Sequence, residues 1–479
     1  MRVSQFFGLG KTQPYLDFVD VRLDTDIPVF IDPSALRGLQ SQWGHDCLAL
    51  VQSYFGTVLD RIKAGDDVGA QELLSSLSER NEFHLGYSAG RSQGHGMGAK
   101  SATSVWGALS RSKASTTGLL QDLEDTALLI EGIGPDMISD AVCNILRGPL
   151  IKYTQEAAAF YDIPLTPGIS SGPVWNPERE QWEASLVPLP MTSEGKVILV
   201  PKLIVRQKIA YQFDKYYTHY LLPEMQRDEL RRSTALVRYL KDRTPRVSKK
   251  ALREKYGSNK LAVITQTLRF PDALSEYRAD MQGRATAAMS HPELAGIEGT
   301  PKPNWRDLEA RLRSLPVGIE QATAYEALIQ DILSAVFYPF LARPTKQHKI
   351  HEGRKRVDLT FSNEAREGFF SWLAQHYPSA LVFVECKNYG KEIGNPELDQ
   401  IAGRFSPSRG KFGIIVCRSV ADERRILQGC VDTAKDDRGF IVVLTDEDVC
   451  ALMAAARAEE PGLHEFEVLR RKFMPLINR

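Results

Sequence analysis

Apolar residues change period repeatedly along residues 319–445. Stretches with three- to four-residue spacing, such as AYEALIQDIL, alternate with short apolar runs such as ALVFVECK. The first pattern predicts helices and the second predicts strands. The order reads as a helix at 320–336, a strand at 355–361, a helix at 364–376 and a strand at 380–386. A helix at 396–404, a strand at 412–417, a helix at 421–435 and a strand at 439–444 follow. Such alternation predicts an α/β layer.

Upstream the pattern is mixed. DIPVFIDPSAL reads as a short strand punctuated by Pro28, Asp32 and Pro33, and residues 47–63 read as an amphipathic helix. Residues 86–104, rich in Gly and Ser, predict a loop. GLLQDLEDTALLIEGIG and DMISDAVCNILRGPLIKYTQEAAAFY predict two helices, the second starting near Asp136. Residues 174–206 alternate like β structure, 211–239 read as helical, and a basic segment leads into helix up to about Met289. Residues 290–305 contain Pro and Gly without periodicity and predict a linker. The expected organisation is a mixed α/β N-terminal sensing or regulatory region at 1–289, with an internal break near 170–205. A linker at 290–318, an α/β domain at 319–450 and a helical tail at 451–479 complete it.

Composition changes this picture little. With 43% hydrophobic and 25% charged residues, the chain has ample material for a folded core. No apolar run approaches the ~18–20 residues needed to span a bilayer, and the N-terminal stretch lacks the apolar core of a secretory signal. A cytoplasmic protein with no membrane partner is expected. Six scattered cysteines never form CxxC, which argues against a disulfide framework or a structural zinc site. Charge is uneven: residues 202–260 hold 16 Lys or Arg against six Asp or Glu. Two readings stand, a local polyanion-binding face or a solvated helix surface laced with ion pairs.

The chemistry concentrates in three places: RKRVDLTF with Asp358, ALVFVECKNYG with Glu385 and Lys387, and AYEALIQDIL with Glu326. Residues two apart in a strand share a face. Leu381, Phe383, Glu385 and Lys387 therefore share one face, and Val382, Val384 and Cys386 the other. Ending a buried strand on two charges is unfavourable unless they are paired or bind a metal. Asp358 beside Glu385 in an adjacent strand would form an oxygen site suited to Mg²⁺ or Mn²⁺, with the backbone carbonyl of Cys386 as a further ligand. Lys387 is then either a point cation that stabilises developing charge or a base of lowered pKa. Arg343, Lys346, Lys349, Arg354, Lys355 and Arg356 crowd ahead of Asp358 and suggest a basic approach to a phosphodiester.

Asp358, 26 residues and then Glu385-Cys386-Lys387, with Glu326 on a preceding helix and Gln400 on a following one, resembles the PD-(D/E)XK nuclease superfamily. The similarity is greatest to its Mrr-type, restriction-endonuclease-like branch. It covers about residues 319–445. The resemblance implies a mixed sheet flanked by helices, a metal held by Asp358 and Glu385 with help from Glu326, and catalytic roles for Lys387 and Gln400. It implies nucleic acid as substrate, DNA favoured, and a homo-oligomer or partner complex for double-strand cutting. The layout resembles prokaryotic antiphage-defence nucleases. The long stretch between Asp358 and Glu385 departs from the tighter family turn, and EAREGFFSWLAQHYP predicts an inserted helix there. The rivals are a catalytically inactive nucleic-acid-binding regulator, a DNA repair or junction-processing nuclease and an RNA-cutting enzyme.

Weaker signals read as structural. GLGKT at 8–12 lacks the first Gly of a phosphate-binding loop. The GHGMGAK stretch, with Arg91 and Lys100, reads as a surface loop. Tyr211, Phe213, Tyr216, Tyr217 and Tyr220 read as core aromatics, and Asp17, Asp20, Asp24, Asp26 and Asp32 as surface and turn residues.

Overall fold

A five-stranded mixed sheet dominates the C-terminal third. Its strands are β1 (Leu341–Lys346), β2 (Leu359–Asn363), β3 (Leu381–Lys387), β4 (Phe412–Cys417) and β5 (Phe440–Thr445), adjacent in that order. The structure, a computed structural model, describes all residues except 78–80, 87–106, 111, 284–286, 347–357, 391, 459–462 and 479. All but the first residue of the loop predicted at 86–104, and the first residues of the predicted 355–361 strand, therefore lie outside the described residues.

The first two strand pairs are antiparallel and the last two parallel. Parallel neighbours need a crossover, and the helices Asn395–Ala402 and Glu423–Lys435, before and after β4 in the chain, supply it. Every residue of β4 is buried. Its unbroken apolar sequence FGIIVC is what a strand covered on both faces requires. The helix Ala322–Phe337 sends Phe337 edge-on against Phe361 of β2. Phe405, just past the helix Asn395–Ala402, meets Phe383 of β3. Gly413 of β4 lets Ile401 pack close, since a Cβ there would lie 2.6 Å from the Ile401 side chain.

Three expectations change. β1 was not anticipated, because ARPTK lacks apolar alternation. It is an edge strand, where proline and charge are tolerated. Residues 290–318 are no bare linker, since they form the helices His291–Glu298 and Trp305–Ser314. The first opens with a capping box between Ser290 and Glu293, a sequence signal that periodicity alone passes over. The helical tail is integral to the domain: Phe473, on the helix Glu467–Ile477, contacts Phe369, Trp372, Tyr377, Phe412 and Phe440.

The N-terminal region is mainly helical, with small two-stranded sheets. Its longest helix, Gln42–Ala64, is capped by Ser41 and ends at Gly65 in the left-handed region (φ 74°). Where one helix was expected from Asp136, two form, Pro135–Ile145 and Arg147–Tyr161, broken at Leu146. The other predicted helix shrinks to Asp125–Leu129. The β structure expected across 174–206 is a set of short paired strands. The aromatic run at 211–220 is core, with Tyr211, Tyr216 and Tyr220 packed around Tyr277.

The acids near the N-terminus are not all surface residues. Asp17, Asp20 and Asp32 are buried, and each accepts backbone amide bonds. Asp17 joins the two regions: its carboxylate accepts from the Arg343 amide at 3.0 Å and the Tyr153 hydroxyl at 2.7 Å. The Arg343 guanidinium pairs with Glu156 at 2.9 Å and lies 5.0 Å from the centre of the Trp43 ring. Glu364, just past β2, accepts from the amides of Gln40 and Ser41 at 2.9 and 3.0 Å. Lys11, in the glycine-flanked GLGKT stretch, pairs with Asp331.

Asp17→Ala leaves two buried donors unsatisfied, and urea denaturation should show a loss of about 3 kcal/mol. A second test uses His291, which meets the Ala335 carbonyl at 3.0 Å. Burial, then the nearby Lys202, holds its imidazole down at about 3. The unfolded side chain titrates near ~6.5, so only the unfolded chain gains the proton between those values. Stability contributed here is complete above about 6.5 and falls as pH drops toward 3, by at most ~1.4 kcal/mol per pH unit. H291F should flatten that part of the stability profile in denaturant melts across pH.

Candidate active site

The register of β2 and β3 assembles the site. Leu359 pairs with Val384, and one further step sets Asp358 across from Glu385. Asp358 Oδ2 accepts the Cys386 amide at 2.8 Å, a side-chain bond that ties the strands together one residue before the start of β2. The inserted helix expected between the strands is present as Gly368–His376, and it leaves this register intact.

Glu385 is the centre of the cluster and is 1% exposed. Its Oε1 accepts from Lys387 Nζ at 3.0 Å and from Gln400 Nε2 at 2.5 Å. Lys387 Nζ also donates to Gln400 Oε1 at 3.1 Å. Arg404 Nη2 lies 3.5 Å from Glu385 Oε2. Among the described residues, that oxygen is buried without a hydrogen-bond partner. Burial, then the nearby Asp358, pushes the Glu385 carboxyl above its usual range, although Lys387 and Arg404 oppose the shift. Burial alone would lower Lys387, but the charge and hydrogen bond of Glu385 outweigh it and raise its pKa.

The elements around the cluster hold it in place. β3 continues into Asn388, whose amide nitrogen donates to the carbonyls of Pro316 and Gly318 at 3.2 and 2.8 Å. Arg404 Nε donates to the Gln400 carbonyl at 3.1 Å. Glu326 stands near the Cys386 thiol. Burial, followed by Asp358, Glu326 and Glu385, drives that thiol far above its ordinary range.

The structure thus brings Asp358, Glu385, Lys387 and Gln400 together and puts Glu326 within electrostatic reach of Cys386. Among the described residues, no group of three or more His, Cys, Asp or Glu side chains is arranged to hold a metal ion. The available set is two carboxylates and the Cys386 carbonyl. A hard dication that keeps several waters suits such a set, and the unpartnered Oε2 of Glu385 is an oxygen that such an ion would satisfy. The expected basic approach divides. Arg343 is turned into the inter-region contact, and Lys346 lies 5.6 Å from the Phe160 ring centre. Lys349, Arg354, Lys355 and Arg356 fall outside the described residues. Arg404 was not foreseen, although its place four residues after Gln400 was a helical-spacing signal.

No helix among the described residues is long and apolar enough to cross a membrane. A family model described as a domain of unknown function (DUF8370) matches residues 8–212, upstream of the sheet. No curated protein matches the chain, and no solved structure matches it.

Glu385→Ala strands Lys387 and Arg404 as buried cations, and removing one member of a buried pair typically costs about 3–5 kcal/mol. Asp358→Asn keeps an oxygen that can accept the Cys386 amide, so its stability should stay within about 1 kcal/mol of wild type. Parallel urea melts of the two variants check both expectations.

Proposed function

We propose that this chain is a metal-dependent endonuclease that hydrolyses phosphodiester bonds, with DNA as the favoured substrate. The observation that carries the reading is the Asp358 bond to the Cys386 amide, which sets one carboxylate beside the buried Glu385–Lys387–Gln400 cluster. Asp358, Glu385 and the Cys386 carbonyl would hold Mg²⁺ or Mn²⁺. A divalent cation bound there supplies charge neutralisation at the phosphate and makes a water nucleophilic near neutral pH.

The chain's own residues do the rest. Asp358 and Glu385 accept positive charge and water hydrogens at the end of β3. Lys387, ion-paired to Glu385, serves as a fixed cation toward the phosphoryl oxygens rather than as a base. Gln400 bridges Lys387 and Glu385 and fixes the angle between them. Arg404 holds the far side of Glu385 and anchors to the Gln400 backbone. The family resemblance extends the reading to defence against foreign DNA, an extension that rests on analogy of layout.

One observation favours a second reading. Lys387 and Arg404 already neutralise Glu385, as they would in an inactive, nucleic-acid-binding relative. Cleavage of plasmid, linear, single-stranded and RNA substrates with Mg²⁺, Mn²⁺ or EDTA separates the two. Wild-type protein should cut DNA with either metal and stop in EDTA. Asp358→Asn and Lys387→Ala should each lose at least ~100-fold in rate, about 2.7 kcal/mol of transition-state stabilisation. Cleavage unchanged by EDTA would remove the metal mechanism, and no cleavage under any condition would favour the binding relative.

A further inference from the structure

The basic segment of the N-terminal region resolves into two kinds of surface. On the helices Leu222–Arg231 and Lys249–Tyr256 and just beyond the first, cations are largely paired: Arg227 with Glu224, Arg232 with Asp228, Lys250 with Glu254, and Lys255 with Glu229. Between those helices a hairpin at residues 238–246 behaves differently. Its cations, Arg238, Lys241, Arg243 and Arg246, are all exposed. None of the four has an ion-pair partner among the described residues. Its single acid, Asp242, accepts the Thr244 amide at 2.9 Å inside the turn.

The hairpin register sharpens the point. Arg238 pairs directly across from Arg246. Like charges at opposed cross-strand positions destabilise a hairpin, so this arrangement is unfavourable in the isolated protein and is relieved by a polyanion. Beside them Tyr239 is 71% exposed and Leu240 46% exposed. The turn is closed by Leu240 donating to the Thr244 carbonyl and Arg243 to the Leu240 carbonyl, with Arg243 in the left-handed region (φ 64°). The base is fixed: Val247 is 1% exposed, and Gln226 donates to its carbonyl. A rooted ribbon therefore presents unpaired cations around an exposed aromatic ring.

We infer that the hairpin at residues 238–246 is a DNA-binding element, with Arg238, Lys241, Arg243 and Arg246 contacting phosphates and Tyr239 reaching sugar or base edges. A two-stranded ribbon fits the major groove of B-form DNA, about 12 Å wide, and the deep, narrow groove of duplex RNA excludes it. The inference stands apart from the nuclease reading, because binding here requires neither metal nor Glu385.

The test is fluorescence anisotropy of a short labelled DNA duplex in EDTA, across a salt series, in an Asp358→Asn background. R238A/K241A/R243A/R246A should bind at least ~10-fold more weakly, and its plot of log affinity against log salt should be shallower by about 3.6. R238A/R246A should melt no lower than its parent, which separates lost contacts from lost folding. Unchanged affinity and slope in the quadruple variant would overturn the inference. So would competition by a polyglutamate peptide as effective as the duplex at equal charge, or a preference for duplex RNA. Wild-type protein that binds the duplex but cuts no DNA with Mg²⁺ or Mn²⁺ would count against the nuclease reading alone, and a quadruple variant that binds as tightly as its parent would count against this one alone.

Discussion

A carboxylate buried at the end of β3 is the constraint around which the C-terminal domain is arranged. Taking an ion out of water is costly by several kcal/mol unless partners replace the lost hydration. Glu385 has Lys387 and Gln400 on one oxygen and the Arg404 guanidinium 3.5 Å from the other. Its second oxygen has no hydrogen bond among the described residues. Asp358 worsens its position electrostatically. A structural ion pair needs no second carboxylate nearby. A site that gathers positive charge does, and this is the physical reason for reading the cluster as chemistry rather than as packing.

The strand beside Asp358 is not free to move alone. β1 pairs with β2, and the backbone of Arg343 in β1 is tied to Asp17 of the N-terminal region. Glu364, on the other end of β2, is tied to the start of the long helix through Gln40 and Ser41. The region matched by the domain of unknown function therefore contacts β1 at Arg343 and the residue just past the C-terminal end of β2. Those N-terminal contacts connect to Asp358 only through β1 and the length of β2. Lys11 and Asp331 add a third contact, on the helix that carries Glu326.

Much of the C-terminal domain was legible because its strands are buried on both faces and its helices are periodic. β4 falls at its predicted bounds and β3 and β5 within one residue, since FGIIVC, LVFVECK and FIVVLT carry an unambiguous apolar signal. The meeting of Asp358 with Glu385 and of Gln400 with Lys387 followed from strand alternation and motif order. β1 was hidden because its edge position admits Arg343, Pro344 and Lys346, which break the apolar alternation. The helices at 290–318 were hidden because short segments are held by caps and a few buried leucines, Leu294, Leu308 and Leu312, rather than by long periodicity. Arg343 looked like a phosphate contact in sequence and is an internal brace, because its partners Asp17, Glu156 and Trp43 lie about 190 to 325 positions away in the chain. Sequence spacing carries no information about such partners.

The central claim is that Asp358 and Glu385 together receive a divalent cation. Anomalous diffraction from crystals soaked in Mn²⁺ measures this directly. The account requires a single strong peak within bonding distance of both carboxylates, lost in Asp358→Asn crystals. Saturating Mn²⁺ with no peak there, and Glu385 still closed on Lys387 and Arg404, would contradict it.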